Sequence, residues 1–71
     1  MKATDYINAV KKINGHGQEI IQIFSNATGR RLFTTLTSTS DEEIIENAMF
    51  ELDYDNAELR RVIANYVISL K

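Results

Sequence analysis

The chain has no cysteine and a single histidine, His16, and these two shortages remove several classes of function. Without thiols there is neither a disulfide nor a thiolate metal site. One imidazole set between Gly15 and Gly17 reads as a solvated loop residue rather than a transition-metal ligand. No metal and no cofactor are expected. No apolar run approaches the roughly 20 residues of a membrane helix, and the opening MKATDY has no signal-peptide pattern, so the expected compartment is the cytoplasm. No serine or threonine stands in a nucleophile motif. The run Asp41-Glu42-Glu43 is rich in carboxylate, but neighbours in sequence on a first helical turn point apart. A chain this short also scarcely encloses a catalytic pocket, so an enzyme is not expected.

What is present is an ordinary globular composition, 44% hydrophobic and 25% charged over 71 residues. That length makes one small domain, which buries only about 60% of the surface its unfolded chain exposes. With disulfides and metals excluded, self-association is the remaining common source of extra core, and a homodimer is expected. The net charge is −2, yet the signs are segregated. Residues 1 to 37 carry Lys2, Lys11, Lys12, Arg30 and Arg31 against only Asp5 and Glu19, residues 38 to 58 hold eight acids and no base, and residues 59 to 71 carry Arg60, Arg61 and Lys71. A fold can therefore set a basic face apart from an acidic one.

Read in order, Thr4 is suited to cap a first helix over residues 4 to 14, in which Tyr6, Ala9, Val10 and Ile13 fall at helical spacing and Asn14-Gly15 marks the end. Glu19 to Ser25 is β-branched and aromatic over a strand-like length. After the turn signal Asn26-Ala27-Thr28-Gly29, a second alternating strand runs from Arg30 to Thr37, with Arg31, Phe33 and Thr35 on one face. Ser40-x-x-Glu43 is a capping box for a second helix, whose stripe Ile44, Ile45, Ala48, Met49 and Leu52 covers an arc of about 140°. Asp55-x-x-Glu58 repeats that logic for a third helix, residues 56 to 70, with the stripe Leu59, Val62, Ile63, Tyr66, Val67 and Leu70. The expected class is α+β in the order α-β-β-α-α. Residues 1 to 29 form an N-terminal helix and first strand, and residues 30 to 71 a strand-helix-helix unit, with a two-stranded hairpin or dimeric ribbon packed on helices.

From Arg31 onward the pattern RLFTTLT, followed by Ile45, Ala48, Met49 and Leu52 and then by ELRRVIANYV, resembles the ribbon-helix-helix repressors, the family that includes Arc, CopG and MetJ. The resemblance covers about 40 residues. It implies a homodimeric transcriptional regulator in which two chains pair their strands and place the ribbon in the DNA major groove. Carried onto this sequence, it makes Arg31, Phe33 and Thr35 the base-reading residues, with Arg30 beside them. The N–H groups around Asn56 and Ala57 would grip a phosphate. All of this turns on whether Arg30 to Thr37 pairs with its copy or with Glu19 to Ser25 of its own chain.

The alternative belongs to another class, a small protein of the kind carried by phage or other mobile elements, which binds and modulates or inhibits another protein. Phe50 falls outside the core stripe of its helix, among Glu43, Glu46 and Asn47. An aromatic anchor ringed by charge fits an interaction hot spot. The competing reading of Phe50 is that the N-terminal helix covers it.

Overall fold

Isoleucines decide the architecture. Ile7, Ile21 and Ile23 have no exposed surface, and each lies on a strand of one antiparallel sheet. In the computed structural model, which describes all 71 residues, a 3₁₀ turn at Ala3–Asp5 leads into β1 (Ile7–Ile13), β2 (Glu19–Ser25) and β3 (Arg31–Leu36). Helices α1 (Asp41–Leu52) and α2 (Ala57–Leu70) follow. The sheet order is β1-β2-β3, with β2 in the middle.

This corrects the expected α-β-β-α-α order and its two-stranded sheet: the observed order is β-β-β-α-α, and residues 4 to 14 hold the end of the 3₁₀ turn and β1 in place of an α-helix. The signal that ends the supposed helix is in fact a hairpin. Asn-Gly between alternating apolar segments is a strong short-range hairpin signature, and Asn14 uses it fully. Its Oδ1 accepts the N–H groups of His16 and Gln18, both at 2.9 Å, and its backbone N–H donates to the Gln18 carbonyl at 2.9 Å. Gly17 takes the positive φ of 77° that closes the loop. The helical spacing of Tyr6, Ala9, Val10 and Ile13 also leaves out Ile7, the one β1 residue that is completely buried. A central strand such as β2, apolar on both faces, needs a partner on each side, and that tertiary demand overrides a weak local period. Thr4 caps nothing; its carbonyl accepts from the Asn26 side chain and ties the N-terminus to the β2–β3 turn.

The strand beginning at Arg31 pairs with β2 of its own chain, so the ribbon is not free on both edges. The register matches Ile21 with Thr35 and Ile23 with Phe33, then skips to Phe24 with Arg31, leaving Leu32 as a bulge. Because side chains alternate across a strand, Phe33 and Thr35 share the face of Ile21 and Ile23. That face is covered by the helices, α1 lying against β3 and α2 against the 3₁₀ turn. Between sheet and helices sit Ile7, Ile21 and Ile23 from the strands, Ile44, Ala48 and Met49 from α1, and Leu59, Ile63 and Val67 from α2. At about 1.5–3 kcal/mol for each large aliphatic side chain, this single layer is the main source of stability. No polar or charged residue is buried in it.

Both helices start where the sequence signals a start, with one shift. Ser40 Oγ accepts the Glu43 N–H at 3.2 Å, which is the N-cap half of the expected capping box. For α2 the cap is Asn56 rather than Asp55: Asn56 Oδ1 accepts from Glu58 N–H at 2.9 Å and Leu59 N–H at 3.1 Å. Asp and Asn are both good caps, and the residue whose backbone is extended immediately before the first helical turn does the capping, here Asn56 at φ −149°.

Candidate functional site

α1 is amphipathic, and its outward side is where the exposed chemistry collects. With Ile44, Ala48 and Met49 buried beneath, the 100° rotation per residue carries Phe50 to the opposite side of the helix. Its ring is 82% exposed, more than any other large apolar side chain of the molecule. Glu46 and Asn47, one turn before it, and Glu43, two turns before it, are exposed on the same side of the helix. The N-terminal segment, being a strand on the far side of the core, does not cover Phe50. All four residues read from the sequence as an interaction surface are therefore brought together on one helix face.

Two features of this surface have weaker sequence signals. Asp53 ends α1 in the left-handed region at φ 53°, and its N–H donates to the Phe50 carbonyl at 3.1 Å. It turns the chain so that Tyr54, 46% exposed, stacks on Tyr6 with ring centroids 6.1 Å apart. The loop and Phe50 border an open cleft of about 300 Å3, floored by Met49 and closed on one side by Arg60. An aromatic between two aspartates in an interhelical loop was the available signal for Tyr54.

The electrostatics are one-sided. Arg60 of α2 bridges to Glu46 and lies 3.6 Å from Asp55, and Lys71 lies 2.6 Å from Asp41. The Glu46 hydrogen bond, with the nearby carboxylate charges, holds the Arg60 guanidinium above its ordinary pKa despite partial desolvation. Glu42, Glu43, Glu51, Asp53 and Glu58 make no ion pair. The surface around Phe50 thus carries unneutralised negative charge.

The residues expected to read DNA are distributed differently. Arg31 is exposed, but Phe33 and Thr35 are half-buried on the helix-covered face, and Phe33 packs against the core. The bulge at Leu32 separates Arg31 from them, so the three cannot enter a groove together. Arg30 is exposed at the end of the β2–β3 turn. Asn56 occupies the Glu58 and Leu59 N–H groups with its own side chain, which removes two of the donors a phosphate would need, and Ala57 is exposed in that first turn. His16 is exposed in the β1–β2 loop.

The uncovered face of the sheet carries a different set, in three rows: Asn8, Phe24 and Arg31; Val10, Gln22 and Thr34; Lys12, Ile20 and Leu36. It contains two cations, three amide or hydroxyl side chains and no carboxylate. No group of three or more His, Asp or Glu side chains converges in a way that could hold a metal ion, and no helix is long and apolar enough to cross a membrane.

Comparison with known proteins returned no family model, no curated protein and no solved structure that matches this chain. The likeness to ribbon-helix-helix repressors therefore stays one of residue pattern across β3, α1 and α2, and the three-stranded sheet is not the free ribbon that likeness implied.

Proposed function

We propose that this domain is a protein-interaction module that binds a basic segment of another protein across the outward face of α1, with Phe50 as the apolar anchor. The observation that carries the reading is the 82% exposure of Phe50 on a helix face where Glu43, Glu51 and the nearby Asp53 make no ion pair and Glu46 alone bridges to Arg60. Burying a phenylalanine ring is worth about 1.5–3 kcal/mol, and a hot spot gains most when polar groups around it exclude water. A pocket of apolar walls rimmed by lysine or arginine complements this surface. The charges would speed encounter and set orientation, and the ring would supply affinity.

The test compares wild type with Phe50→Gln and Glu43→Lys as baits in cells that make the protein. A protein held by wild type and lost from both variants is then purified and titrated directly. Binding that weakens with rising salt and disappears with Phe50→Gln supports the module, whereas a partner that binds wild type and Phe50→Gln equally refutes it.

A second reading rests on the uncovered sheet face, which has Lys12 and Arg31 and no carboxylate. In it the domain contacts duplex DNA through the sheet, in place of the ribbon arrangement of Arg31, Phe33 and Thr35. Phosphate contacts show first at low salt. Duplex binding at low ionic strength that is abolished by Arg31→Glu with Lys12→Glu, and unaffected by Phe50→Gln, would favour this reading over the first.

A further inference from the structure

A three-stranded sheet has two edges, and this molecule treats them unequally. At β1 the backbone groups of Ile7, Ala9, Lys11 and Ile13 turn away from β2, since it is Tyr6 and Asn14 that bond across to the β2 side. The outward Ala9 N–H is already taken: it donates to Tyr66 Oη at 3.0 Å. Lys11 and Lys12 add two positive charges to this strand, and charged side chains on an edge discourage strand addition. β1 is a sealed edge.

β3 is not sealed. The bonds Thr37 N–H to Glu19 C=O and Ser25 N–H to Arg30 C=O set the alternation on this side. Phe33 and Thr35 turn their backbone toward β2, and Thr34 turns both its N–H and its C=O outward, as does Leu36 its N–H. No side chain caps these groups in the way Tyr66 caps Ala9. From Leu32 to Thr37 there is no charge, and Leu36 is an exposed apolar side chain.

We infer that β3 pairs antiparallel with β3 of a second copy of this chain, joining two three-stranded sheets into one of six strands. The sequence of the edge favours a copy over a foreign strand because Leu32-Phe33-Thr34-Thr35-Leu36 nearly reads the same in both directions. A two-fold axis at Thr34 lets Thr34 exchange both backbone bonds with its counterpart. It sets Leu32 beside the copy's Leu36 and Phe33 beside its Thr35, so no charge meets its like at any step. Threonine pairs and apolar pairs across strands are favourable, whereas like charges directly opposite are not. The same operation on β1 meets the occupied Ala9 or brings Lys11 against Lys11. Pairing at β3 also supplies the extra buried surface that a chain with eleven buried residues lacks. This inference is independent of Phe50, which lies on the outward side of α1.

The absence of cysteine makes the test clean. Sedimentation of the full chain over a concentration series is expected to show a monomer–dimer equilibrium. Thr34→Lys, at an exposed position, is expected to weaken it by up to about fivefold, because two like charges then face each other across the axis. Circular dichroism checks that this variant remains folded. In a separate measurement, Thr34→Cys is expected to form a disulfide-linked dimer under mild oxidation much faster than Lys11→Cys, since paired residues bring their Cα atoms to about 5.5 Å, within disulfide range. A chain that stays monomeric at every concentration, a dimer unaffected by Thr34→Lys, equal cross-linking at positions 11 and 34, or a dimer broken by Phe50→Gln instead would each overturn the inference.

Discussion

Replacing Phe50 should hardly change the stability of the fold while removing partner binding, and the size of the first effect can be worked out. A phenylalanine truncated in a packed core costs about 3–5 kcal/mol. Phe50 is 82% exposed and stands opposite the buried stripe of α1, so little of that cost applies, and an exposed substitution is worth within about 0.5 kcal/mol. The choice of replacement matters. Aspartate at this position would add a carboxylate to the last turn of α1, where the helix dipole is negative, at a cost of about 0.3–1 kcal/mol, and Glu51 and Asp53 are already close by in sequence. Glutamine has good helix propensity and no charge, which makes Phe50→Gln the cleaner variant. For a domain of this size 1 kcal/mol moves the melting temperature by about 4–8 °C. Thermal unfolding followed by circular dichroism should therefore show Phe50→Gln within about 4 °C of wild type. A fall of more than about 12 °C would mean that the ring is packed in the folded molecule, and the interaction reading would lose its anchor.

The helix caps give a paired prediction: Asn56→Ala should destabilise by about 1 kcal/mol through loss of two accepted N–H bonds, whereas Asp55→Ala, whose one ion pair is the 3.6 Å approach to Arg60 at an 83% exposed side chain, should stay within about 0.5 kcal/mol; urea unfolding of both distinguishes the caps. Ile63→Ala, at a position with no exposed surface between sheet and helices, should cost about 2–5 kcal/mol, enough to leave much of this small domain unfolded at 37 °C by circular dichroism. Tyr66→Phe should cost about 1 kcal/mol by leaving the part-buried Ala9 N–H unpaired, and hydrogen exchange at that amide should accelerate by about tenfold or less, a change that would be absent if the hydroxyl bond were unimportant.

Much of the C-terminal half was legible because its signals are local. Ser40 and its box, the stripe from Ile44 to Leu52 and the stripe from Leu59 to Leu70 each carry their own period and punctuation, and the helices fall within a residue or two of where those signals put them. The N-terminal segment was misread because two local signals conflict: Tyr6, Ala9, Val10 and Ile13 fit a helix, Ile7, Ala9 and Ile13 fit a strand, and only the hairpin chemistry of Asn14-Gly15 decides between them. Pairing is not local at all. Nothing within Arg31 to Leu36 says which strand it will join, and the bulge at Leu32 that sends Arg31 and Phe33 to different faces depends on the register against β2. The outward position of Phe50 was accessible on a helical wheel; the cleft that Tyr54 and Arg60 form beside it appears only with the left-handed turn at Asp53 and the packing of α2 on α1.

The segregation of charge along the chain becomes a segregation in space, and that limits how the two surfaces can be used. Strands β1 and β3 carry Lys11, Lys12 and Arg31, while the first turn of α1 carries the unpaired Glu42 and Glu43. The segregation is incomplete where α1 meets the start of β3, since Glu51 lines one surface hollow with Arg30 and Arg31. A polyanion is repelled from Phe50 and steered to the sheet, and a basic peptide is steered the other way. Pairing through β3 would extend the sheet and put two Phe50 side chains on one particle. A partner with two basic, apolar-lined sites would then bind with an effective concentration set by the separation of the two α1 helices. On both proposals, that arrangement would turn a single exposed ring of modest affinity into a bivalent surface.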